Sequence, residues 1–181
     1  VIHDKRPSNT TPYILPDKCP TCHHKIIRPE DEAVARCHNM ECPAQIKGQI
    51  EHFVSKNCMD IDGFGIKLVD QLVETDLIRN VADIFSLTME KLSGLDRMAE
   101  KSAQNILDAI HEAKSTTMSR FIHSLGIRNV GEHSSKVLEK SFNGNLKSFI
   151  NADMDSLTDI HEIGEIMAES IYDFFQEDNN R

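Results

Sequence analysis

The sequence has no tryptophan, and aromatic residues fill only 6% of its 181 positions. Any core must therefore be aliphatic. No run approaches the roughly 20 apolar residues of a membrane-spanning helix, so helical membrane spans are excluded. Val1 to Pro16 has no apolar signal-peptide core. Eight glycines and six prolines are too few for a collagen-like or low-complexity chain. At 39% hydrophobic, the chain is too apolar to be disordered. Cations are also scarce: 20 Lys and Arg stand against 29 Asp and Glu, a formal charge of −9. A protein that holds DNA by a coat of Lys and Arg is usually basic. Either this chain avoids nucleic acid, or it holds phosphate by something other than side-chain charge.

Cysteine is what the sequence does have. Four of the five fall in two close pairs, Cys19 with Cys22 and Cys37 with Cys42, and Cys58 stands apart. An odd count without a secretion signal argues against a disulfide framework and for a reducing, cytoplasmic setting. The spacing is C-x2-C, fourteen residues, then C-x4-C. Each pair can present two sulfurs to one ion, and the two pairs together close a tetrahedron. Four thiolates suit Zn²⁺ and leave no open position, so the expected role is one structural zinc per chain. A module of about 25 residues needs such a staple because apolar burial alone does not fold it. An iron–sulfur cluster and a redox dithiol at Cys19-Pro20-Thr21-Cys22 are the competing readings. His23, His24 and His38 are read as surface imidazoles, although each could replace a thiolate. Cys58 is expected to be a small buried residue.

The fold is expected to be mainly α: a small four-cysteine zinc finger, then tandem helix–hairpin–helix repeats. Three zones carry this reading. Residues 1–18 contain Pro7, Pro12 and Pro16 and no apolar periodicity, as a linker would. Residues 19–58 hold the finger and a connecting helix, and residues 59–181 hold the helical repeats. Apolar stripes at helical spacing support the helices. They are Ile46/Ile50/Phe53/Val54, Leu68/Val69/Leu72/Val73, Ala103/Ile106/Leu107/Ile110, Phe121/Ile122/Leu125, Val137/Leu138/Phe142 and Ala168/Ile171/Tyr172/Phe175. No segment alternates like a half-buried strand, so any strands belong to the cysteine module. Met59, Met98 and Met118 read as core filler, Glu30-Asp31-Glu32 as a solvated edge, and residues 177–180 as a frayed tail.

A pattern repeats across the helical zone: apolar, x, x, apolar, Gly, then a small or β-branched residue four later and an aliphatic three beyond that. It starts at Ile61, Ile127 and Ile160, with a less regular copy at Leu92-Ser93-Gly94-Leu95-Asp96 that needs three extra residues to fall into step. The starts lie 31, 35 and 33 residues apart, a regular period typical of a repeat. Glycine permits a tight turn and close backbone approach. The turn opens onto a helix N-terminus, whose first amides lack intrahelical partners and attract phosphate. Such a protein can grip a phosphate backbone without a basic surface. The candidate DNA contacts are Gly63, Gly65 and Lys67; Gly94, Arg97 and Lys101; and Arg128, Asn129 and Gly131. The fourth hairpin carries Glu162 and Glu165, which repel phosphate, so it is expected to be structural. Asp60 and Asp62 are read as turn or cap residues.

Taken together, these motifs resemble the C-terminal half of bacterial NAD-dependent DNA ligases. Cys19-Pro20-Thr21-Cys22, Arg36-Cys37 and Cys42-Pro43-Ala44-Gln45 are similar to that family's zinc finger. Ile50-Glu51-His52-Phe53-Val54-Ser55 and Met59-Asp60-Ile61-Asp62-Gly63 are similar to its first hairpin region. Lys101-Ser102-Ala103, Leu125-Gly126-Ile127-Arg128 and Val130-Gly131-Glu132 are similar to its second and third. Val1 to Pro16 is similar to the connector leaving its OB-fold domain. The resemblance implies a part of an enzyme that seals nicks in duplex DNA during replication and repair. Its implied partners are nicked double-stranded DNA and the remaining ligase domains, with no membrane, and it is expected to be a monomer. NAD and Mg²⁺ are implied for the parent enzyme only. The family's adenylated lysine lies in a Lys-x-Asp-Gly motif, and no such tetrapeptide occurs here, so no catalytic residue is expected and the chain alone is expected to be inactive. A helix–hairpin–helix module of a repair nuclease and a zinc-stabilised protein-interaction module are the other readings.

Overall fold

The computed structural model describes residues 7, 10–11, 14–28, 34–37, 39 and 41–180. The expected linker falls largely outside these residues, as do His38 and the acidic edge at 30–32. The chain divides into two compact units, Val1–Gln45 and Ile46–Arg181. Among the described residues the structure is mainly helical, with strands confined to the cysteine module. No helix is long and apolar enough to cross a membrane.

The first unit is built on a two-stranded ribbon. Strands β1 (Ile26–Ile27) and β2 (Arg36–Cys37) pair antiparallel, with Ile26 opposite Cys37 and Ile27 opposite Arg36. A further bridge joins Lys18 to Lys25. Between them the chain doubles back in a tight turn, where the Cys19 amide donates to the His24 carbonyl at 2.8 Å and the His23 amide donates to the Cys19 carbonyl at 2.9 Å. His23 sits in the left-handed region at φ 59°, which lets the turn close.

Helix α1 (Pro43–Val54) begins with proline, whose missing N–H costs nothing in a first turn. The other main helices are α2 (Ile66–Glu74), α4 (Glu100–Ala113), α5 (Met118–Ser124), α6 (Glu132–Ser141) and α9 (Glu165–Gln176). Each lies on an apolar stripe expected from the sequence. Three five-residue helices have no such stripe: α3 (Met89–Ser93), α7 (Leu146–Ile150) and α8 (Met154–Thr158). A 3-10 turn at Val81–Ser86 precedes α3. These short elements are too brief for periodicity and are started by side chains instead. Thr88, Asn145 and Asp153 each accept an amide of the first turn, and Asn80 forms a capping box with Asp83. A 3-10 turn at Asp178–Asn180, where Asn180 Nδ2 donates to the Phe174 carbonyl, follows α9.

The helices enclose two apolar cores, in which phenylalanine stands among the aliphatic residues in place of the wholly aliphatic core expected from the composition. One takes Ile50, Phe53, Leu72, Ile84, Leu92 and Ile106 from residues 50–113, and the other takes Ile122, Leu138, Phe149, Leu157, Ile171 and Phe175 from residues 122–175. Burying each large aliphatic side chain contributes about 1.5–3 kcal/mol. This burial holds together helices too short to persist alone.

Four hairpins share one construction. Their left-handed residues are Gly63 (φ 92°), Arg97 (58°), Asn129 (64°) and Glu162 (75°), each two positions before a helix N-cap. Those caps are Gly65, Ala99, Gly131 and Gly164. Four residues later stand Val69, Ala103, Ser135 and Ala168, all fully buried, and three further on stand the buried Leu72, Ile106, Leu138 and Ile171. The second hairpin is therefore Leu95-Asp96-Arg97-Met98-Ala99, three residues later than the Leu92 alignment expects. Gly94 is instead the right-handed C-cap of α3, at φ −76° and ψ −11°. In this register the starts at 61, 95, 127 and 160 are 34, 32 and 33 residues apart.

The hairpins work in reciprocal pairs. Gly63 packs against Ile106 of α4, while Gln71 of α2 accepts the Asp96 amide at 2.9 Å. Asn129 Nδ2 donates to Ser170 Oγ of α9 at 3.1 Å, while His133 of α6 pairs with Glu162 at 2.6 Å. Each hairpin thus rests on the second helix of its partner. At Gly63 a methyl group would lie 2.8 Å from Ile106 Cγ1 as well as in the left-handed region. Gly63→Ala is expected to cost about 1–3 kcal/mol from backbone strain and overpacking. Urea unfolding checks this, with Gly65→Ala as the control, because Gly65 has an extended backbone and open space around it.

Candidate metal centre and nucleic-acid interface

Cys19 and Cys22 lie on the tight turn, Cys37 ends β2, and Cys42 precedes α1. The ribbon register brings the turn and the second pair together. The four sulfurs all lie within 4.8 Å of one another. Cys22 Sγ is 3.4 Å from Cys37 Sγ, and Cys19 Sγ is 3.9 Å from Cys42 Sγ. A tetrahedral ion with Zn–S bonds of about 2.3 Å places its sulfurs about 3.8 Å apart, so the set fits zinc. Cys19 and Cys42 are buried and none of the five cysteines is in a disulfide.

The proton chemistry agrees with that fit. The His24 amide stabilises the Cys22 thiolate and lowers its pKa to about 5. The Asn39 amide pulls Cys37 the same way, but burial and the neighbouring sulfurs outweigh it and push that thiol up to about 12. One sulfur ionises readily, and its charge then holds a proton on the next. A cation at the centre removes this conflict and allows all four to be thiolates. His23 and His24 are exposed and stand outside the cluster.

The hairpin helices form the second candidate site. Helices α2, α4, α6 and α9 begin at Gly65, Ala99, Gly131 and Gly164 with no side-chain cap. By contrast, the N-caps of α3, α5, α7 and α8 are Thr88, Thr117, Asn145 and Asp153, and each accepts a backbone amide. All four uncapped positions are exposed, and nothing lies within 4 Å of a methyl group placed at Gly65, Gly131 or Gly164. The unpaired amides of these first turns are thus left to solvent or to a ligand.

Their electrostatics differ. Helix α2 has no acidic residue in its first turn, and Lys67 there is exposed. Helices α4, α6 and α9 carry Glu100, Glu132 and Glu165. Glu132 pairs with Lys136 at 2.6 Å, which partly offsets its charge. Around the second hairpin Arg97 and Lys101 are exposed, and Arg97 lies 3.7 Å from Asp96. Arg128 and Asn129 lie on the exposed turn of the third. At the fourth, the bond from His133 holds the Glu162 carboxyl below its ordinary range, so a negative charge stays in that turn. The structure thus gathers the predicted Gly65, Lys67, Arg97, Lys101, Arg128, Asn129 and Gly131 around open helix N-termini. It places Gly63 at a packed turn and Gly94 outside the hairpin.

Sequence reasoning missed Ala99. It occupies the cap position that glycine fills elsewhere, and the positive φ of Arg97 has no sequence signature. It also missed that His52 and His123 lie beside Cys58, since these positions share no spacing pattern.

The model of the NAD-dependent DNA ligase C4 zinc finger domain matches residues 18–44. A SAM-like helix–hairpin–helix tandem matches residues 57–112, and a helix–hairpin–helix motif matches residues 120–181. The two helical matches coincide with the two apolar cores. A ligase C4 zinc finger followed by two helix–hairpin–helix segments is typical of the C-terminal part of NAD-dependent DNA ligases, and the three matches are consistent with such a fragment.

Proposed function

We propose that this chain is the duplex-holding part of a cytoplasmic, nick-sealing, NAD-dependent DNA ligase and does not itself carry the adenylation chemistry. In this reading Cys19, Cys22, Cys37 and Cys42 hold one structural zinc, which orders the finger and supplies no reactive position. The helical repeats of residues 59–181 bind the sugar–phosphate strand through backbone amides at the starts of α2, α4 and α6. Lys67, Arg97, Lys101 and Arg128 add charge at the rims. The fourth hairpin, with Glu162 and Glu165, serves mainly to support the third. NAD and Mg²⁺ act elsewhere in such an enzyme. The remaining ligase domains complete its hold on nicked DNA, and this part acts as a monomer.

One observation carries the proposal. The helices that follow the hairpins are the ones whose N-termini lack a side-chain cap and stand open, while the other helices with described caps are closed by Thr, Asn or Asp. Against Ser, Thr, Asn or Asp at the N-cap, glycine costs a helix only a few tenths of a kcal/mol and alanine about 1 kcal/mol. Leaving it out four times at equivalent positions suits an external anion. It also explains how a chain of charge −9 could hold DNA.

Three outcomes are expected. Chelation should unfold residues 19–42, read as loss of amide protection there, while the helices of the second unit keep their circular dichroism. In titrations with nicked duplex, affinity should fall with salt along a shallow slope, because amides displace fewer counterions than Lys and Arg do. Gly65→Val or Gly131→Val should weaken binding about tenfold, and Gly164→Val only slightly. Absence of duplex binding would favour a protein-interaction module. Equal effects at all three glycines would contradict the ranking of hairpins.

A further inference from the structure

Away from the four-cysteine cluster, a second set of soft ligands converges inside the helical unit. His52 lies on α1, Cys58 in the turn that follows it, and His123 on α5. One ligand atom from each lies within 4.8 Å of the other two. Cys58 is fully buried, and both histidines are half-buried with their rings packed edge to face, centroids 5.2 Å apart.

The hydrogen bonding is informative. His52 Nε2 lies 2.8 Å from the His123 carbonyl oxygen, a contact that requires the ring to donate. That fixes the proton on Nε2 and leaves Nδ1 with its lone pair; Cys58 Sγ lies 3.9 Å from Nδ1 and 3.6 Å from Nε2, so the thiol has to turn toward Nδ1 for the two to share an ion. Metal-bound histidines are commonly oriented this way, with the second nitrogen donating to a backbone carbonyl. His123 Nδ1 is buried and has no hydrogen-bond partner. A buried nitrogen without a partner calls for an explanation, and an ion is one of the few that apply.

We infer that His52, Cys58 and His123 form a second metal site, a Cys-His₂ set for a borderline ion of the Zn²⁺ class. Binding displaces the Cys58 thiol proton to solvent and leaves both imidazoles neutral. Three protein ligands leave a fourth position for water. Arg120 and Glu132 place one charge of each sign near the cluster. The site joins the two apolar cores. The same junction is held by Arg120 of α5, whose Nε donates to the Cys58 carbonyl at 2.8 Å and whose Nη2 donates to the Lys56 carbonyl at 2.6 Å. A metal there would clip the first hairpin pair to the second.

The test is the zinc content of the full chain equilibrated with excess Zn²⁺ and freed of loosely bound ions. The expected result is one equivalent more in the native chain than in Cys58→Ala, whatever the four-cysteine cluster holds. With one ion in the four-cysteine cluster, the wild type should carry two equivalents and the variant one. With Co²⁺ in place of zinc, the wild-type minus Cys58→Ala spectrum should show one thiolate-to-metal charge-transfer band. His52→Gln, which keeps Cys58, should also lose one equivalent. Equal metal content in wild type and Cys58→Ala, with both chains folded by circular dichroism, would overturn the inference. So would a flat difference spectrum.

Discussion

The structure depends on a turn in which one residue takes a left-handed conformation two positions before a helix begins. That conformation lets the apolar residues on either side of it point inward, as Ile61 with Phe64 and Ile127 with Val130 do. It leaves the start of the next helix facing outward. Anchoring and exposure are therefore two results of the same bend. The buried small residue four positions after each cap, from Val69 to Ala168, lets the helix approach its partner. The following aliphatic residue then fills the core.

Electrostatics follow from that geometry. A helix N-terminus carries about half a positive charge whatever the side chains around it. The acidic surface sets where that charge is usable. At α2 no carboxylate stands in the first turn, while at α9 Glu165 follows Glu162, which His133 keeps ionised. The four repeats share a fold and differ in what they can attract.

Much of this was legible in the sequence, and for physical reasons. Long helices announce themselves because a buried face imposes apolar residues every three or four positions. The zinc module is legible because one ion imposes a cysteine spacing. Short helices escaped, since five residues make little more than one turn, although Thr88, Asn145 and Asp153 were available as start signals. The second hairpin was misaligned because Gly94 resembles a turn glycine, while the residue that turns the chain is Arg97, whose side chain does not advertise a positive φ. The association of His52 with His123 was out of reach of any local pattern. It exists only because the two cores meet at Arg120 and the turn after α1.

The central claim is that open backbone amides, rather than cations, hold the phosphate strand. Gly65→Asp combined with Gly131→Asp tests it most directly. Aspartate is a favoured N-cap and should occupy the amides from within, so thermal unfolding should shift upward or stay level. Affinity for nicked duplex at fixed salt should fall at least tenfold. Unchanged affinity in a chain whose melting temperature is unchanged or raised would contradict the account.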